Sequence, residues 1–188
     1  MTQQEVYNQA LANSFWITQN LPRFKDIDPY ALARVSTGVA KVESNFNPTA
    51  KNKSSSARGL MQILICTQRE VEAKYLKVKN FPEASLYCKS YPKAPVNTKT
   101  LDKIYTPYYG MLIGQVYLAY QYKRYNDWAK AIHAFNQGSY NNTAPKVAGK
   151  TYLGKVNTRL NEINFKQLEK VANTTKALIT DGKYPEFL

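Results

Sequence analysis

The chain has 188 residues, 44% hydrophobic and 21% charged, ordinary globular usage that excludes wholesale disorder and suits a single domain. A balance of 26 Lys+Arg against 13 Asp+Glu gives +13, which predicts attraction to a polyanion: nucleic acid, an anionic membrane or an anionic cell wall. One histidine and two cysteines exclude a multi-histidine metal site, a four-cysteine zinc site and a disulfide framework.

The first amphipathic helix is predicted from Gln3 to Gln19, because Val6, Ala10, Leu11 and Phe15 recur at helical spacing. Leu21-Pro22 stops it. Asp28-Pro29 reads as an N-cap followed by proline at the first helical position. Leu32, Val35, Val39 and Val42 then form one apolar stripe, carrying a second helix to Glu43 before Asn47-Pro48. Thr49 to Ser56 has no periodicity and reads as loop. The apolar run Gly59 to Ile65 fits either a strand or a buried turn. Thr67 with Glu70 makes a capping box that predicts a helix through Leu76.

Four prolines between Lys79 and Pro107 predict an irregular segment. Tyr108 to Tyr125 is apolar almost all round, as a central buried helix would be. Asp127 caps a helix from Trp128 to Asn136 that Gly138 ends. A last helical region starts at Tyr152, with Val156, Leu160, Ile163, Leu168 and Val171 on its apolar face. No apolar run approaches the roughly 20 residues that span a bilayer. The first residues lack a basic segment followed by an apolar stretch, so the expectation is a protein made and kept in a cytoplasm.

Between Asp28 and Glu70 there is one carboxylate, Glu43, at the end of an apolar helix and beside a hydroxyl-rich loop. Apolar surroundings disfavour its ionised form, which suits a general acid; the competing reading is a solvated helix-end residue. Glu70, Glu72, Glu83 and Asp102 are the acids that the fold could bring back towards it. His133 and Cys66 read as packing residues, and a Cys66–Cys88 bond is not expected in a reducing compartment. Tyr105, Tyr108 and Tyr109 could offer flat faces to sugar rings or form the amphipathic wall of the core.

The words around Glu43 are more specific. Glu43-Ser44-Asn45-Phe46-Asn47-Pro48, a serine loop, then Gly59-Leu60-Met61-Gln62 resembles the signature of the soluble lytic transglycosylases. Gly114-Gln115-Val116-Tyr117-Leu118, Ala134-Phe135-Asn136-Gln137-Gly138 and Tyr152-Leu153-Gly154-Lys155-Val156 resemble three further family blocks, in family order. The resemblance implies a mainly α (α+β) lysozyme-like fold, with a small strand or loop region after the catalytic helix. It implies a single domain with a catalytic core over 28–160, an N-terminal helical extension over 1–27 and a C-terminal helical tail over 161–188.

The resemblance also implies roles. Glu43 would be sole acid and base, cleaving the β-1,4 bond between N-acetylmuramic acid and N-acetylglucosamine. Substrate contacts would come from Gln62, Leu64, Phe135, Asn136 and Tyr152, and from a serine that falls among Ser54, Ser55 and Ser56, with Ser54 or Ser55 preferred. For Gln62 the alternative is satisfying a turn; for Leu64 and Tyr152 it is core packing. Phe135 stands where the family usually has tyrosine, Ser56 where it has glycine, Gly110 where many members have asparagine, and Gln137 where they have alanine. No metal and no other cofactor is implied. The implied partner is the peptidoglycan glycan strand, with an anionic outer-membrane surface as a further one, no nucleic acid, and a monomeric state. A compact basic chain of this kind resembles a bacteriophage endolysin held in the host cytoplasm until lysis, or a virion-borne wall-drilling enzyme. A hydrolytic muramidase on the same fold, and a non-enzymatic basic binding module, are the competing readings.

Overall fold

A computed structural model describes residues 1–76, 102–140 and 151–179. Seven α-helices carry the regular structure among these residues: α1 (Gln3–Asn20), α2 (Pro29–Ser44), α3 (Ile65–Lys74), α4 (Pro107–Tyr125), α5 (Trp128–Gln137), α6 (Tyr152–Glu162) and α7 (Phe165–Ile179). The region after α2 holds only isolated antiparallel bridges, Lys51 with Arg58 and Arg58 with Ile63, so the run after Gly59 is a buried turn.

Local chemistry starts most helices where the sequence places them. Thr2 and Glu5 form a reciprocal capping box at α1. Asp28 accepts from the Tyr30 amide at 2.9 Å, with Pro29 opening α2. Asp127 accepts from Lys130 at α5, and Gly138 ends that helix. The start of α3 differs. It begins at Ile65 with no side-chain cap, and Thr67 lies inside it. The Ser56 hydroxyl instead accepts from the Ile65 amide at 3.3 Å, so a tertiary contact satisfies an end that the Thr67–Glu70 pair was expected to serve.

α4 is the axis. Met111, Leu112, Ile113, Val116 and Leu118 are fully buried on it, each contributing about 1.5–3 kcal/mol of apolar burial. α1, α2, α3 and α5 pack around it, and the residues of α1 belong to the same core cluster as those of α4. The last helical region is two helices, broken at Ile163, whose backbone is extended (φ −89°, ψ 121°). The break turns α7 back onto α1, where Leu168 and Ala172 are buried and Val171 is exposed. Val171 therefore leaves the expected apolar face, because one continuous stripe does not survive a break in the helix. Arg34 from α2 and Tyr7 from α1 both bind the Glu169 carboxylate, at 2.7 and 3.1 Å. The expectations for the segment from Lys79 to Leu101, for Glu83 and for Cys88 lie outside the described residues.

Candidate functional site

Glu43 lies one residue before the end of α2. Two consecutive left-handed residues follow it, Asn45 (φ 52°) and Phe46 (φ 67°). Asparagine tolerates that region; a phenylalanine there stores strain, which the surrounding packing must hold. The Phe46 ring is buried, with the Lys41 ammonium 4.9 Å above it. Ser44 ties the helix end to the next loop by donating to the Leu60 carbonyl at 2.7 Å.

That loop closes on itself. Gln62, also left-handed (φ 47°), donates through its side-chain amide to the carbonyls of Ala50 and Gly59, at 3.1 and 3.0 Å. Gly59 takes φ +77°, and a Cβ there would sit 2.5 Å from the Ile104 carbonyl oxygen. Only glycine fits both the angle and the approach.

Glu43 opens onto a cleft of about 580 Å³. The loop contributes Asn52, Ala57, Gln62, Ile63 and Leu64; α3 contributes Cys66, Thr67 and Glu70; α4 contributes Tyr117; and the end of α5 contributes Phe135, Asn136, Gln137 and Gly138. Leu64 is 42% exposed despite its apolar side chain. The Phe135 ring is tilted against Tyr117, with centroids 5.6 Å apart. Behind the carboxylate, the Tyr152 hydroxyl donates to Glu43 Oε1 at 2.6 Å.

Burial raises the Glu43 carboxyl above its ordinary value, and this outweighs the Tyr152 hydrogen bond and the Lys155 charge, which both pull it down. The hydroxyl of Tyr152 is itself pushed well above the usual tyrosine range, by burial and by the adjacent carboxylate. A carboxyl whose protonated form is favoured by burial, which faces a cleft and is held from behind, is equipped to donate a proton and take one back.

Glu43, Gln62, Leu64, Phe135 and Asn136 thus share one cleft, and Tyr152 meets Glu43. Gln62 combines both readings, lining the cleft while its amide donates to the turn. Ser54, Ser55 and Ser56 are not among the cleft-lining residues. Ser54 donates to Asn52 Oδ1 at 2.9 Å, Ser55 accepts from the Ala57 amide at 3.2 Å, and Ser56 serves α3. Of the acids considered with Glu43, Glu70 lines the cleft, its carboxylate 2.6 Å from Lys74 Nζ. Glu72 is buried, accepting from Gln68, Arg69 and Tyr109.

Several cleft residues had no site role in the sequence reading, Tyr117, Cys66 and Asn52 among them. Tyr117 sits inside the Gly114–Leu118 family block, which was the available signal. Cys66 is half-buried at the cleft rather than buried beneath it. Asn52 stands in a loop without periodicity, and nothing local marks it. His133 packs edge-on against Tyr140 at 5.4 Å, and Tyr105, Tyr108 and Tyr109 do not line the cleft. Residues 27–157 match the transglycosylase SLT domain family. No curated protein and no solved structure matches the chain.

Proposed function

The chain belongs to the transglycosylase SLT domain family, which comprises peptidoglycan lytic transglycosylases, a class of lyases, and from that premise we propose a single-carboxylate reaction centred on Glu43. The protonated Glu43 donates to the β-1,4 glycosidic oxygen between N-acetylmuramic acid and N-acetylglucosamine. The C1–O bond breaks and the N-acetylglucosamine leaves with a free hydroxyl. The carboxylate then removes the proton from the muramoyl C6 hydroxyl, whose oxygen attacks C1 and closes a 1,6-anhydro ring. The proton lost in the first half returns in the second, so no external base is consumed. An ordinary glycosidase needs a second carboxylate because its nucleophile or water must come from outside the sugar. Here the attacking group is already on the substrate.

The observation that carries this reading is the half-buried Glu43, raised by burial and bound by Tyr152 at 2.6 Å, beside the cleft. In this reading Gln62, Leu64, Phe135 and Asn136 contact the sugars. The loop serines, Ser54 or Ser55, contact them only if the loop closes over bound glycan. The catalytic core runs over 28–160, flanked by α1 and α7. No helix among the described residues is long and apolar enough to cross a membrane. The strongly basic balance supports a role in phage-type lysis of the host wall, which co-expression with a membrane-permeabilising protein tests by loss of culture turbidity.

The deciding experiment is mass spectrometry of digested peptidoglycan. Muropeptides lighter by one water than hydrolysis products are expected from the wild type, and none from Glu43→Gln, which keeps the fold but cannot release and reclaim a proton. Full lysis by Glu43→Gln sinks the assignment. Glu70, which shares the cleft with Glu43, supports one second reading: hydrolysis with Glu70 activating water. Reducing ends that vanish in Glu70→Gln would establish it.

A further inference from the structure

The end of α5 forms one wall of the Glu43 cleft, through Phe135, Asn136, Gln137 and Gly138. Its main chain is well held. Gly138 caps the helix in the left-handed region (φ 79°), its amide donating to the Ala134 carbonyl at 2.8 Å. The Gly138 carbonyl accepts from Arg124 Nη1 at 3.2 Å, and the same nitrogen donates to Gln121 Oε1 at 3.0 Å. Two residues on, the Tyr140 amide donates to the Tyr125 hydroxyl at 2.9 Å. The backbone beside Asn136 and Gln137 is thereby tied to the C-terminal end of α4, and side-chain torsion is the main freedom left. For Asn136 that freedom matters, because an amide turned by half a revolution keeps its shape and exchanges an acceptor oxygen for a donor NH2. Gln137 Nε2 donates to Asn136 Oδ1 at 2.6 Å. With that oxygen engaged, Asn136 meets the cleft as a donor, through Nδ2.

We infer that Gln137 is a positioning residue, which fixes the Asn136 amide in the orientation that donates to an acceptor oxygen of the bound glycan. The inference rests on the reading of the cleft as the glycan site, with Asn136 touching the sugars. The ether oxygens and acetamido carbonyls of a glycan accept hydrogen bonds and donate none, so a reversed Asn136 amide would set oxygen against oxygen. Gln137 excludes that reversal by occupying Oδ1. Alanine, which the family usually carries at this position, has no amide to give, so the contact is this chain's own.

The test measures binding of peptide-free glycan strands, released from peptidoglycan by an amidase, to the Glu43→Gln protein, in which turnover is blocked. Gln137→Ala, added to that protein, frees the Asn136 amide and is expected to weaken binding about three- to tenfold, the range for one hydrogen bond between neutral groups. Gln137→Glu carries acceptors only, so it pairs with Asn136 through Nδ2 and turns the amide round; it should bind no better than Gln137→Ala. In an Asn136→Ala background, Gln137→Ala should cost nothing further. In the enzyme that keeps Glu43, Gln137→Ala should raise KM by a similar factor, while the melting temperature and the alkaline limb of the pH profile stay in place. Undiminished affinity in Gln137→Ala or in Gln137→Glu overturns the inference. So does an equal loss in the Asn136→Ala background, which would make Gln137 itself a sugar contact. Cleavage chemistry is read separately from wild-type products, so failure of the Glu43 reaction and failure of the Gln137 role give different results.

Discussion

At Glu43, burial and hydrogen bonding act in opposite directions. Burial raises the carboxyl, while the Tyr152 hydroxyl and the Lys155 charge lower it. Tyr152→Phe removes one of the lowering contacts, so the carboxyl rises further and stays protonated to higher pH. The alkaline limb of the kcat/KM profile is then expected to move up in pH, while kcat falls by about tenfold because one hydrogen bond to the carboxylate is lost. An unchanged limb would separate Tyr152 from the acid. The same shift has a stability consequence. A carboxyl raised by folding penalises the fold once pH passes that raised value and not below the ordinary one. Glu43→Gln should therefore raise the melting temperature at neutral pH and leave it nearly unchanged near pH 4, as thermal unfolding at the two pH values would show. Glu43 was legible from its motif, since its neighbours in sequence carry the signal. Its partner is 109 residues away, and only the family block, not periodicity, pointed to Tyr152.

Among the elements, the buried turn after Gly59 holds Gln62 through its contact with α4. A Cβ on Gly114 would collide with the Met61 side chain, so the turn lies against the axis helix at a position where that helix has no side chain. Gly114→Ala is expected to cost about 1–3 kcal/mol in chemical denaturation, and to lower activity because Met61 and Gln62 move together. Beside it, Glu72 on α3 accepts from Arg69, Gln68 and Tyr109 with no exposure to solvent. Arg69→Met strands a buried carboxylate and is expected to cost about 3–5 kcal/mol. Loss of the exposed Glu70–Lys74 pair on the same helix should cost well under about 1 kcal/mol. Equal effects in the two denaturation curves would refute the buried network as the link between α3 and α4. Helix ends set by Asp28, Asp127 and Gly138 were readable because capping acts within a few residues. The start of α3 was not, because the hydroxyl that serves it belongs to Ser56 in the preceding loop.

Across the whole molecule, five acids of the described residues are paired with cations, and the formal charge remains +13. Exposed charge of this kind acts at long range and is screened within about 8–10 Å at ordinary ionic strength. Wall digestion is therefore expected to slow severalfold between low and high salt, measured as turbidity loss of purified walls; a salt-independent rate would confine the basic excess to solubility. The sequence by itself determined the helical class, the caps of α2 and α5, the place of Glu43 at the end of α2 and the basic excess. Each of these is carried by neighbouring residues, by a contiguous motif or by a simple sum. Tertiary packing decided which residues face the cleft. It brought Glu70 and Cys66 from α3, Tyr117 from α4 and Asn52 from the loop to the same space, and left Ser54 and Ser55 outside that lining. It also divided the expected last helical region into α6 and α7, exposing Val171. Periodicity and capping operate over one or two helical turns, whereas a cleft is made by side chains that meet only after the helices have packed.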